Sequence, residues 1–156
     1  MSIYSGIIMT NMFNPREALF CARLNLRRAK HRLQAGSLRY GISALYDSVL
    51  FGMIYYALQH KGFSEADLGD AGMLFHSLTG TGIFEDPNAF NRLSLRVERA
   101  LWQEPNSLDA NLILMDVEKM LAKLYILPWK NPDSSGNQKI TRTGKDGDAY
   151  LQTTEM

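Results

Sequence analysis

Between Gly41 and Leu58 the chain reads GISALYDSVLFGMIYYAL. Wound as a helix, this stretch is apolar on almost every side, and a helix of that kind belongs in the middle of a bundle. Ile42, Leu45, Val49, Met53 and Tyr56 form one face, while Leu50, Phe51, Ile54 and Leu58 cover much of the rest. The length approaches that of a membrane span. Asp47, with several Ser and Gly residues, argues instead for a helix buried in protein. The remaining segments must therefore supply amphipathic helices to cover it.

They do so with clear boundaries. Asn14, Pro15 and Glu17 spell a helix start: a capping side chain, a proline whose missing N–H costs nothing there, and a glutamate placed to cap in return. The helix that follows runs to about Ala35, with Leu19, Ala22, Leu26, Ala29 and Leu33 in one stripe, and Gly36 ends it. Ser37 or a neighbour opens the apolar helix, which stops near Lys61 before Gly62. Gly69 and Gly72 weaken the next region, leaving one short helix around 70–78. Asp86 and Pro87 read as a cap and proline opening a fourth helix over about 87–103, with Phe90, Leu93, Val97, Ala100 and Leu101 inside. A fifth begins after Ser107 and runs to about Tyr125, burying Ala110, Leu114, Val117, Leu121 and Leu124. The expected fold is all-α: an antiparallel up-and-down bundle of about five helices over residues 1–128.

Residues 129–156 read as a polar tail rich in Gly, Ser, Thr and charge, with Ile140, Tyr150 and Leu151 able to anchor it. Lys and Arg total 17 against 16 Asp and Glu, so no overall field marks a nucleic-acid or membrane binder, and a basic site must be local. The only cysteine, Cys21, cannot close an internal disulfide, and MSIYSGIIMTNMFN lacks the pattern of a secretory leader; both point to the cytoplasm. No Glu-x-x-His pair and no Cys-x-x-Cys stands in the chain, so neither a metal nor another cofactor is expected. Gly80 and Gly82 do not make a phosphate loop, because no strand pattern precedes them and no lysine follows.

The opening PREALFCARLNLRRAKHRLQAG, followed by YGISALYDSVLFGMIYYAL, resembles the first hairpin of HEPN domains, helical modules often partnered with nucleotidyltransferases in prokaryotes. The likeness covers roughly residues 15–125. Leu74-Phe75-His76-Ser77-Leu78 resembles the short third helix of the same family. It implies the fold, a homodimer, and a nucleotidyltransferase as a partner. Many members are ribonucleases that place an arginine before a histidine with four to six residues between them. For His31, His60 and His76 the arginine would fall at Leu24 to Leu26, Met53 to Tyr55, or Gly69 to Ala71, and none of these positions holds one.

Several side chains remain candidates for chemistry. Arg92, Arg96 and Arg99 lie on one helical face and suit bidentate contact with phosphate; pairing with Glu98 or with acids on a neighbouring helix would use them equally well. Arg16, Arg23, Arg27 and Lys30 form a second row, which could hold a phosphate backbone or simply cover the edge of the core with its stems. His76, between Phe75 and Leu78, reads as a packed residue before it reads as a base. Asp47 reads as a buried carboxylate met by a cation. The expectation is a non-catalytic HEPN-like binding or scaffolding module, a dimer that takes a nucleotide or RNA. The alternative is a diverged metal-independent ribonuclease using His76 with an arginine.

Overall fold

The computed structural model describes residues 14–84 and 86–129. The tail anchors Ile140, Tyr150 and Leu151 lie outside them. The chain is all-helical: α1 (Pro15–Gln34), α2 (Leu38–His60), a 3-10 turn (Glu65–Asp67), α3 (Ala71–Thr79), α4 (Ala89–Trp102) and α5 (Ser107–Lys123), with no strand among the described residues.

The start of α1 follows from its first residues. The Glu17 N–H donates to Asn14 Oδ1 at 2.8 Å, and the Asn14 N–H reaches back to the Glu17 carboxylate. This reciprocal pair satisfies two of the donors that every helix start leaves open. Gly36, at φ +86°, turns the chain into α2 in a conformation that costs glycine little. The two helices then run antiparallel at close range. Ser48 Oγ donates to the Ala22 carbonyl at 3.0 Å, and a Cβ on Gly41 would stand 2.5 Å from Leu33 Cδ2. Any side chain at that crossing would have to push Leu33 aside.

α2 is the central helix, packed against α1, α3, α4 and α5. It is long and apolar enough to cross a membrane, with a mean hydropathy of 1.3, and 78% of that window is buried within the bundle. Burial on most sides is what its all-round apolar surface requires. α3 is capped by Asp70, whose carboxylate accepts from the Met73 N–H at 2.8 Å. Its Phe75 stacks between Phe84 and Phe90, each 5.2 Å away, and Tyr46 of α2 continues the stack 5.7 Å from Phe90.

The start of α4 differs from the sequence expectation. Asp86 accepts from the Asn88 N–H and forms an ion pair with Arg92, so it makes a turn before the helix, which begins at Ala89. Its carboxylate thus closes a local turn and holds a cation six residues on, and the helix begins after Asn88. α5 is capped by Asn106, which accepts from the Asp109 N–H at 2.8 Å. Asn106→Ala removes that acceptor and is expected to cost about 1 kcal/mol. For a domain of this size that is a fall of about 2–4 °C in thermal midpoint, to be read by calorimetry.

α4 and α5 run antiparallel, tied by Arg96 and Asp116 at 2.6 Å. α5 also crosses α1 in the opposite sense, since Lys30 pairs with Glu118 at 2.9 Å while Arg23 reaches Ile126. The bundle does not stop at Pro128. Trp129, assigned to the tail by composition, lies against Arg23 and Arg27.

Candidate functional site

The arginine face of α4 is largely occupied by its own neighbours. Arg92 is held by Asp86 and Arg96 by Asp116, while Arg99 is exposed and makes no ion pair with a described residue. The Arg92 pair is strong enough to show on both partners: the carboxyl of Asp86 is held below its ordinary range by its contact with Arg92, and the guanidinium is raised in return. A cleft of about 220 Å³ opens beside these pairs, with Phe84 and Met120 on its apolar side and Lys119 and Lys123 on its basic side. Its cations alternate with Asp86 and Asp116, so the field there is mixed rather than anion-selective.

His76 is exposed, contrary to the packed reading. Phe75 and Leu78 do turn inward, as do Ala71 and Leu74. One residue turns a helix by about 100°, which carries His76 out of the stripe that Phe75 enters. His31 is exposed as well. Asp47 lies 8% exposed in the centre of α2. It is near enough to Tyr46 to help raise that phenol, although burial is the larger cause and the Ser94 hydroxyl works against both. Cys21 is a poor thiolate: burial pushes its thiol up, Glu17 adds to this, and Arg28 only partly offsets them. Among the described residues no three His, Cys, Asp or Glu side chains gather as metal ligands would.

The α1 row has a more specific use. The guanidiniums of Arg23 and Arg27 each lie 5.6 Å from the centre of the Trp129 indole, within cation–π range. Arg23 Nε also donates to the Ile126 carbonyl at 3.1 Å. Burial here lowers the Arg23 pKa, and nearby Tyr55 opposes that shift. The segment after α5 is thus clasped across α1. Beside it, His60 at the end of α2 sits among three tyrosines, with ring centres 5.1 Å from Tyr56, 5.0 Å from Tyr125 and 5.6 Å from Tyr55. Tyr56 and Tyr125 are 5.9 Å apart.

The chain matches no family model, no curated protein and no solved structure. Function has to be argued from these surfaces.

Two features of the aromatic cluster set it apart. Tyr125 is 60% exposed and His60 is exposed, whereas Phe75, Phe84 and Phe90 are all buried. Tyr125 also has φ +66°, the left-handed region in which bulky side chains are uncommon. Helices commonly end on glycine or asparagine in that conformation. Here a tyrosine does so, and its ring is held against Tyr56 and His60.

A second surface is apolar. Leu108, Leu112 and Met115 of α5 are 66%, 41% and 54% exposed, at steps of four and three, and so share one outward face. On α4, Leu95 and Trp102 are exposed too. Sequence reading found most of the buried stripe of α5, although Ile113 and Met120 are buried while Leu114 is only half-buried, and it did not find this outer one, because apolar residues on both sides of a helix blur its periodicity. The aromatic cluster escaped for a different reason: its rings come from two segments far apart in sequence, the end of α2 and the stretch after α5.

Proposed function

We propose that this chain is a non-catalytic, HEPN-like helical binding module that works as a homodimer paired through the outer face of α5. The observation that carries the reading is the uncovered stripe Leu108, Leu112 and Met115. An isolated exposed leucine needs no explanation, but three in one row on one helix mark an association surface. Charge favours a second copy as the partner. Asp109 stands at the start of α5 and Lys119 and Lys123 at its end. Two copies of the helix laid antiparallel about a two-fold axis set each acidic end against a basic one, and an isologous interface of this kind closes on itself.

Binding rather than catalysis is supported by where the polar side chains spend their contacts. Arg92 and Arg96, the arginine row closest to acids, hold Asp86 and Asp116. These are positioning contacts.

Light scattering coupled to gel filtration tests the dimer. The native chain is expected to elute with twice its chain mass at micromolar concentration, and the Leu112→Glu, Met115→Glu double variant as a monomer with a thermal midpoint within a few degrees of the native one. Glutamate is a good helix former, so the substitution removes the stripe without removing the helix. A native chain that is monomeric at 100 µM sinks the proposal.

A further inference from the structure

We infer that Tyr125, His60 and Tyr56, together with Trp129 and its two arginines, form a binding site for single-stranded nucleic acid. The inference rests on the reading of this chain as a binding module, and gives that module a ligand; it does not depend on the dimer. Bases would stack on the exposed rings, and the backbone phosphates would meet Arg23 and Arg27.

Three independent observations converge. The first is exposure. Apolar packing explains a ring cluster only when the rings are buried, as they are around Phe75. Here the outermost ring is 60% exposed and a histidine beside it is open to solvent. Exposed aromatic faces are what unpaired bases stack on, whatever the base. The second is the backbone. Tyr125 holds φ +66°, where glycine or asparagine would be easier. A residue kept in a strained conformation with its side chain displayed points to use of that side chain. The third is charge. Arg23 and Arg27 lie against the Trp129 indole, Arg23 has Tyr55 of the cluster near enough to affect it, and Lys61 follows His60 directly. Guanidiniums on an indole edge a stacking surface with phosphate donors, and Arg23 is further fixed by its bond to Ile126.

A single strand fits this better than a duplex, whose bases already stack on one another and hide the faces the rings would need. It also fits better than a free mononucleotide, which could use one exposed ring but not several.

The test is fluorescence anisotropy of a labelled twelve-nucleotide oligouridylate, titrated with the full chain at low salt. Saturable binding is expected. It should weaken about tenfold in Tyr125→Asn, the scale on which losing one stacked base is felt. Asparagine accepts the left-handed backbone, so an unchanged thermal midpoint shows that the fold is kept. Arg27→Ala should weaken binding and also flatten its dependence on salt, because one fewer phosphate is neutralised. The inference is overturned if no saturable binding occurs, if Tyr125→Asn binds like the native chain, or if duplex RNA of equal length competes equally well. Equal affinity for uridine monophosphate also overturns it, in favour of a mononucleotide site. Light scattering on the same samples keeps the two readings apart: a dimer without oligonucleotide binding sinks this inference alone.

Discussion

Replacing Phe75 by alanine is expected to destabilise the protein by about 3–5 kcal/mol, the range for deleting a buried phenyl ring. Phe75 is the middle ring of the buried stack, with Phe84 on one side and Phe90 on the other. Its loss removes the apolar transfer energy, leaves a cavity, and breaks two ring pairs that contribute beyond their buried area. The consequence reaches past one side chain. α3 has nine residues, too few to be stable as a helix by itself, and it is held by Leu74, Phe75 and Leu78. The loop that carries Phe84 docks on the same ring. Urea denaturation should therefore show a lower midpoint, and α3 amides should exchange hydrogen faster than those of α1 or α2. Phe75→Leu keeps most of the volume and should cost about 1–2 kcal/mol. If Phe75→Ala costs no more than Phe75→Leu, the stack does not organise this end of the bundle.

What could be read from the sequence was what is decided locally. Asn14 with Glu17, the glycine at 36 and the all-round apolar α2 each announce themselves within a few residues, and each is found where it was expected. Errors arose where one residue had two uses. Asp86 looked like a helix cap, but Arg92 lies one helical turn inside α4 and within reach, so the carboxylate serves a turn and an ion pair. His76 failed on orientation, since its apolar neighbours in sequence are not its neighbours in space. The rows of arginine were legible, but their partners were not. Arg96 meets Asp116 from twenty residues away, and Arg23 meets Ile126 from more than a hundred. The aromatic cluster was largely beyond local reading, because α1, the end of α2 and the segment after α5 become neighbours only when the bundle closes. One trace of it was present: the chain leaves α5 through Leu124 and Tyr125 where a glycine would be ordinary.

The closing of the bundle at that cluster depends on Gly52, so Gly52→Val should damage stability and oligonucleotide binding together. A Cβ at this position would stand 3.1 Å from Leu121, 3.3 Å from Leu124 and 3.3 Å from Ile126. Those three residues are the end of α5 and the start of the segment that continues to Trp129. Alanine should be nearly neutral: its better helix propensity is worth about 1 kcal/mol and offsets neighbours that need to give by only a few tenths of an ångström. Valine adds two methyl groups where there is no space for one, and overpacking of this kind costs about 1–3 kcal/mol. All three crowded side chains belong to this one segment, so moving it outward, away from α2, relieves them together. Ile126 then withdraws its carbonyl from Arg23, and Tyr125 leaves the rings of Tyr56 and His60. Thermal denaturation should show the lower midpoint, and the anisotropy titration should show weaker binding than Tyr125→Asn, because the arginines lose their positions as well as one ring. A Gly52→Val protein that is destabilised yet binds oligouridylate like the native chain would mean that the rings and arginines do not act as one surface.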